Sequence, residues 1–526
     1  LSVDDPPEAM LAGEESGAEE QARGVIRAGR LAGRGMWAAI GILALPVLFQ
    51  QTMAALVGMV DKLLAGCLPE EVVIPAMDAI GIGAYVVWFI GIALAGLGVG
   101  GQAIIARAMG RGARAEAEQA LGHALVLSVL WGAAVGVCMF LVAEPMARYC
   151  GLGEEAVRHC REYVGIVAAG MPFAGVMMVG SMCLHGAGET ARPSLIAVGV
   201  NVVNLIASWF LSGVSVSVGG HELVAPLGID PAIWGVRGIA AGTAIGYLAG
   251  GLATLIVLRR GVRDMRLHVA GMRPQRSMSW RIVRLGVPTF FEGVAMWGVN
   301  LFVLHFVGLV GAQRVAQSVN ASAGGALPGQ PLAETLPDLA ATPGAAQGGL
   351  IGAHVIAVQW EAFSFLPGFA MGTAAGALAG QYLGAGSPAM ARKAIAICTL
   401  IGMGLMGALG LVFAFCGTAL TRAISDNPVY LEHVPDLLRI CGSVQIFFAL
   451  SMVTRQGLRG VGDVNATLVI TFVSSYLVRL PLAYLLGITL GLGLQGIWMG
   501  LCGEIVVRGV LFGWRFLSTA WERARV

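Results

Sequence analysis

Leu184-His185-Gly186-Ala187-Gly188-Glu189 recurs 274 residues later as Leu458-Arg459-Gly460-Val461-Gly462-Asp463. At the same offset Gly98, Gly110 and Gly112 recur as Gly372, Gly384 and Gly386. Two well-separated matches at one spacing mark a tandem duplication. In a very apolar chain, a duplication reads first as a membrane transporter. The composition is apolar enough: 57% of the 526 residues are hydrophobic, 12% are charged and the mean hydropathy is +0.78. A soluble chain carries about 25% charged residues, so most of this surface must face something other than water.

A bilayer core of about 30 Å takes roughly 20 apolar residues per helix. Twelve such runs occur, near 36–66, 80–106, 119–143, 160–184, 194–217, 234–258, 283–310, 349–380, 393–419, 437–457, 464–488 and 494–517. The expected architecture is therefore an all-α membrane protein. Twelve transmembrane helices form two six-helix lobes, related by a pseudo-twofold axis along the membrane normal. The expected divisions are an N-terminal tail at 1–35, an N-lobe at 36–258, a linker at 259–282, a C-lobe at 283–518 and a tail at 519–526. Residues 1–35 lack the apolar core of a cleavable signal peptide. The repeat offset is 242 at the first helix of each half, 274 after the eighth run and 258 at Gly238 and Gly496. These changes place an outer-loop insertion near 312–349 and a second in 218–233.

The basic residues are nearly all arginine, since Lys62 and Lys393 are the only lysines. They crowd alternate loops: Arg107, Arg111 and Arg114, then Arg259 to Arg284, with Arg455 and Arg459 closing the tenth run. By the positive-inside rule both termini are expected in the cytoplasm of a multi-pass inner (plasma) membrane protein. The net charge of +2 gives no footing for nucleic acid. Nine scattered cysteines without a CxxC pair suggest buried small residues rather than a metal site or disulfide framework. There is no GxxxxGK[ST], so an ATP-hydrolysing unit is not expected, nor an enzyme or a cofactor beyond a coupling ion, H+ or Na+. The glycines from Gly96 to Gly101 lie inside an apolar run and read as helix packing. Gly372, Gly376, Gly380 and Gly384 make one smooth helix face.

Ionisable residues inside apolar runs cost about 2.5–3.5 kcal/mol each on insertion scales and mark candidate function. Glu292 and Glu361 have no obvious cation near them in sequence, and two carboxylates facing one cavity would bind H+ or Na+, or attract a cationic substrate. Asp61 lies beside Lys62 near the end of the first run. Glu504 and Arg508 read as a structural i,i+4 pair, and Arg479 as a partner for some helix carboxylate. Asn201, Asn204, Ser208, Asn300, Gln359 and Gln445 are intramembrane polar groups. Asn204, Ser208, Asn300 and Gln359 join the three carboxylates Glu292, Glu361 and Asp61 as the candidate ion-coupling and substrate site. His305 and His354 read more as hydrogen-bonded packing than as proton relays. Pro172, Pro288, Pro367 and Pro481 allow kinks. Trp88, Trp297, Phe363 and Phe365 are candidate walls for flat organic ligands.

The stretch from Gly352-Ala353-His354-Val355-Ile356-Ala357 through Glu361-Ala362-Phe363-Ser364-Phe365-Leu366-Pro367 to Gly380-Gln381-Tyr382-Leu383-Gly384-Ala385-Gly386 closely resembles MATE (multidrug and toxic compound extrusion) transporters. So do the repeated glycine turns and Val60-Asp61, and the resemblance covers roughly 36–518. It implies a central cleft between two lobes, and antiport in which H+ or Na+ enters while small organic, often cationic, compounds leave. A monomer in the lipid bilayer is expected. By the resemblance, Asp61 matches the first helix's coupling carboxylate, Glu292 a seventh-helix acid, Glu361 an eighth-helix acid and Asn204 a fifth-helix asparagine. Ser208 stands where the family often has Asp, which weakens the first-lobe cation site and moves expected coupling to Glu292 and Glu361. A flippase for lipid-linked or polysaccharide precursors is the alternative within the superfamily. It would call for a more basic central cleft, and the excess of intramembrane acids speaks against it. A non-transporting receptor or scaffold is the alternative outside it.

Overall fold

The computed structural model describes residues 26, 31, 33–149, 153–218, 221–262, 265–272, 275–323, 350–425 and 427–524. Within the helices, the side chains of 54–63, 81–90 and 314–323 lie outside the described set, and with them those of Asp61, Lys62 and Trp88. Helix α1 spans Met36–Gly66, α2 Glu70–Arg111 and α3 Arg114–Tyr149. Helix α4 covers Glu154–Ala169, α5 Met171–Gly186, α6 Ala191–Ser212 and α7 Pro231–Arg260. In the second half α8 spans Arg276–Ala323, α9 Leu350–Gly384, α10 Pro388–Arg422, α11 Pro428–Ser443 and α12 Gln445–Gly460. Helices α13 (Val464–Phe472), α14 (Leu480–Tyr484) and α15 (Gly493–Leu517) complete it.

Among the described residues ten helices are long and apolar enough to cross a bilayer alone. Two bent pairs bring the number to twelve: α4 with α5 at 53° and α11 with α12 at 55°. The bends fall at Gly170 and Val444, again 274 residues apart, so the duplication preserved even the kink. In the first half Pro172 follows the break and supplies a ready helix start. The outer surface is apolar, as lipid contact demands: Phe415 is 84% and Leu517 71% exposed. The chain is a multi-pass membrane protein, all-helical among the described residues apart from one hairpin. That hairpin, β1 (Val216–Val218) antiparallel to β2 (His221–Leu223), falls at the expected second insertion. Of the first insertion, 312–323 continues α8 and 324–349 lies outside the described residues.

The first helix of each half packs against both halves: Thr190, Ser194 and Asn201 donate to carbonyls of α1 within its own half, and it also reaches across. Residues of α1 such as Leu43 and Val47 are buried with Ala370, Ala374 and Leu378 of α9. Met278, Ile282 and Leu285 of α8 are buried with Val99, Ala103 and Leu121 of α2 and α3. The lobes meet most closely at the end bearing the Arg-rich loops, where small residues let backbones touch. A Cβ on Gly110 would overlap the Gln381 carbonyl, and one on Gly384 would overlap the carbonyl of Arg107. Position 381 is the repeat mate of 107, so the contact is symmetric about the axis. Gly372 and Gly376 abut Gln456, while Gly380 abuts Ala106 and Gly460. The four-residue glycine ladder thus serves two neighbours, α12 and α2.

Two hydrogen-bond sets tie that end together. Arg107 donates to the backbone oxygens of Val461 and Ala524 at 2.8 Å each, and Gln381 donates to the carbonyl of Gly186 at 2.8 Å. The short 3-10 turn Ala520–Arg523 is held there by buried Trp521 and by an Arg392–Glu522 ion pair. Following α13 the chain is π-helical over Val473–Arg479 and again over Leu485–Thr489, flanking Pro481. The wider turns change which residues share a face, and they set Arg479 against α15.

Candidate functional site

Glu292 sits one turn after Pro288 on α8, which points it into the C-lobe rather than the cleft, and it is 1% exposed. Its Oε2 lies 2.6 Å from the Arg459 guanidinium and its Oε1 3.5 Å from that of Arg455. Thr467 donates to Oε2 at 3.1 Å and Thr471 to Oε1 at 2.8 Å. Arg455 and Arg459 are one turn apart on α12, and Thr467 and Thr471 one turn apart on α13, so two helix faces converge on one carboxylate. Glu292 has no cation near it in sequence, as read, but packing brings it two. Arg455 and Arg459, read from sequence as closing the tenth run, turn inward onto Glu292 and are 16% and 14% exposed. Their cations come from a segment 167 residues away, where no helix periodicity registers them.

Glu504 forms a second cluster and is fully buried. Arg479 donates to its Oε2 at 2.8 and 3.1 Å, and Arg508 approaches Oε1 at 3.4 Å. Arg508 also reaches the Met296 sulfur and lies over the Phe448 ring. The expected pairing of Glu504 with Arg508 stands, and Arg479 joins it. Glu361, one and a half turns before Pro367 on α9, differs from both. Among the described residues it makes no ion pair, its electrostatic neighbours being Arg479, Arg508 and Cys441.

The charge balance corrects a second expectation. Glu292, Glu361 and Glu504 face Arg455, Arg459, Arg479 and Arg508, three carboxylates against four guanidiniums. A guanidinium does not deprotonate in proteins, so this interior carries at least one excess positive charge. The supposed excess of intramembrane acids came from placing Arg455 and Arg459 at the end of the tenth run and from not counting Arg479 and Arg508, which lie inside runs, against the carboxylates.

A cavity of about 690 Å3 lies where the lobes meet. The N-lobe supplies most of its wall, including Met171, Met177, Met178 and Met182; Phe369, Thr373, Gln456 and Arg459 come from the C-lobe. Gln50, Gln102, Ser181 and His185 add polar groups. Among the described lining residues there is no carboxylate. Neither Glu292 nor Glu361 lines this cavity. Sequence reasoning passed over His185, Gln102 and Gln456, although the repeat pairs His185 with Arg459.

The other expected residues are placed as follows. Asn204 and Ser208 pack between α6 and α7: Asn204 donates to Thr243 at 3.0 Å and Ser208 to the Ile239 carbonyl at 3.3 Å. Asn201 donates to the Met53 carbonyl of α1 at 2.7 Å. Asn300, Gln359 and His305 are exposed and do not line the cavity. His354 accepts from Trp498 at 3.1 Å, the packing role expected of it. Gln445 is buried against the Cys441 thiol. Phe363 is 44% exposed, Phe365 meets Phe448 edge to face, and neither they nor Trp297 line the cavity, whose described aromatic rings include Tyr163, Tyr247 and Phe369. The Asp61 side chain lies outside the described residues.

Comparison with known proteins adds three findings. The family model MatE matches residues 46–210 and 350–485. The chain is 25% identical to a probable multidrug resistance protein NorM of Thermotoga maritima, over 92% of this chain and 93% of that one. It is 24% identical to the multidrug resistance protein PmpM of Pseudomonas aeruginosa, covering 87% and 86%. Among solved structures, the fold matches a MATE family transporter of the MOP superfamily in its outward-facing conformation at TM-score 0.75, 20% identity, 92% and 96% coverage. It also matches a MOP superfamily transporter from Pyrococcus furiosus, described by a reversed polarity of its binding pocket that suggests a different function, at TM-score 0.77, 20% identity, 93% and 98% coverage.

Proposed function

Since the chain belongs to the MatE family of membrane transporters, which are not enzymes, we propose that it is a secondary active exporter. It would move small organic compounds from the central cavity by alternating access, in antiport against H+ or Na+. The observation that carries this is the cavity between two duplicated lobes whose contacts at one end are smooth glycine faces. Such faces can part without leaving large side chains unburied. The multidrug resistance proteins among its relatives support the same reading.

We place coupling on Glu361. Glu292 is held by two guanidiniums and two hydroxyls, and Glu504 by two guanidiniums. A carboxylate so satisfied gains little from binding a further cation. Glu361 makes no ion pair, and its ionic neighbours are arginines. A small cation such as Na+ wants a shell of oxygens, so of the two coupling ions the surroundings favour H+. Protonation would change the net charge of a cluster that spans α8, α9, α12, π-helical 473–479 and α15. Differential charge in two lobe arrangements is what an alternating-access cycle requires.

The test is efflux of a panel of fluorescent organic compounds from vesicles containing the full chain, with pH or Na+ gradients imposed separately. Glu361→Gln is expected to abolish gradient-driven efflux while leaving equilibrium binding. Unchanged coupled efflux in that variant refutes the coupling site, and transport under neither gradient refutes the exporter reading.

A further inference from the structure

The polar end of the cavity has a chemistry that the expectation of a cationic substrate does not fit. Its one described full charge is Arg459, which is 14% exposed. Arg459 spends Nε and Nη2 on Glu292 and Nη1 on the Gln456 oxygen at 3.1 Å. Yet the single carboxylate of Glu292 is shared with Arg455, so the pair of guanidiniums retains a positive charge whatever the protonation of Glu292. A cationic ligand entering here meets like charge in a site of low dielectric, which disfavours it strongly.

The second observation comes from the other lobe. His185 occupies the position of Arg459 in the repeat and lines the same cavity. It is 7% exposed, and its Nε2 is buried without a hydrogen-bond partner. Gln50 Oε1, also in the lining, is likewise unpartnered. A buried polar atom left unpaired costs about 1–3 kcal/mol, which a complementary ligand group brought against it recovers: an anionic head can accept from an Nε2–H of His185, whereas the Gln50 oxygen, an acceptor, calls for a donor such as a ligand hydroxyl. Beside these groups lies the wall of Met171, Met177, Met178 and Met182, a polarizable apolar surface that adapts to varied shapes. The volume of about 690 Å3 falls in the range for drug-sized ligands.

We propose that this cavity takes an amphipathic organic anion, its carboxylate, sulfonate or phosphate head held by Arg459 and His185 and its apolar body on the methionine wall. The inference rests on reading this cavity as the transport site. It assigns the polarity of the substrate, and it makes Gln456 the residue that tunes Arg459.

The experiment uses a matched pair of coumarin amphiphiles, one ending in a sulfonate and the other in a trimethylammonium, and measures equilibrium binding to the full chain by fluorescence anisotropy. The sulfonate is expected to bind about tenfold more tightly or better, the scale of one charge pair in a partly screened site. Gln456→Glu adds a negative charge beside Arg459 without removing the Glu292 clamp, and is expected to erase that preference. His185→Leu should weaken the sulfonate and leave the trimethylammonium unchanged. Equal or tighter binding of the trimethylammonium dye by the unmodified protein overturns the proposal, as does a Gln456→Glu variant, folded by its melting temperature, with unaltered preference. Repeating the titration in phosphatidylglycerol and phosphatidylcholine nanodiscs separates the two sources of such a head group. Competition by phosphatidylglycerol assigns the site to a lipid, and sulfonate binding without competition assigns it to a soluble amphiphile. A chain that binds the sulfonate but exports neither dye sinks the exporter reading and leaves this one standing. A chain that exports the trimethylammonium dye in preference does the reverse.

Discussion

Substituting Glu292 by Gln removes the carboxylate on which α8, α12 and α13 converge. At an effective dielectric of about 20, the 2.6 Å contact to Arg459 has a gross attraction of about 6 kcal/mol, and the 3.5 Å contact to Arg455 about 5 kcal/mol. Desolvation of the three charges offsets most of this, at several kcal/mol per ion. The measurable quantity is what remains when one partner is deleted and the others stay buried, about 3–5 kcal/mol. Glu292→Gln should therefore lower the thermal unfolding midpoint in detergent strongly, because two guanidiniums lose their counter-charge. Arg459→Gln should be milder, since Arg455 still balances Glu292. The double variant should recover part of the loss relative to Glu292→Gln alone, because one stranded cation is gone. A melting series over the unmodified protein, both singles and the double, at constant detergent and salt, reads this coupling. If the double variant loses the sum of the two single losses, the clamp is not an interacting unit and the reasoning fails.

Glu504→Gln strands Arg479 and Arg508 in a site fully closed to solvent and should also cost about 3–5 kcal/mol; a melting temperature equal to the parent's would count against the cluster. Gly384→Val places a side chain against the Arg107 carbonyl and should cost about 1–3 kcal/mol in the closed arrangement. The same variant should speed maleimide labelling of an introduced Ala106→Cys, and unchanged labelling would show that the glycine contact does not hold that end shut. Arg107→Ala removes two hydrogen bonds from a charged donor to the Val461 and Ala524 carbonyls. Each such bond is worth about 1.5–3 kcal/mol, so amide exchange over 520–524 should rise, and protection like the parent's would place the anchor of that turn elsewhere.

The twelve apolar runs were legible because a bilayer imposes length and apolarity locally. The run at 36–66 coincides with α1, Met36–Gly66. Others were too short: α8 extends to Ala323, where Ala, Gly, Gln and Ser dilute the apolar signal without breaking the helix. Pro172 signalled a kink where the chain bends at Gly170, but the matching bend at Val444 carries no such breaker and was legible only through the repeat. The hairpin 216–223 was legible only as extra length. Within the site, Glu504 with Arg508 could be read because both lie on one helix. Glu292 with Arg459, and Glu504 with Arg479, could not, because the partners meet only through packing.

Many membrane crossings, one plan shared by the two halves, and carboxylates inside the apolar runs could all be read from the residues alone. Each follows from a property written locally, whether hydropathy, spacing or residue type. The sign of the interior emerged from packing. Helix α12 turns Arg455 and Arg459 inward onto Glu292, π-helical 473–479 turns Arg479 onto Glu504, and the cavity is left with Arg459 and His185. Net charge at a point depends on distances between residues far apart in the chain, and those distances exist only once the helices have packed.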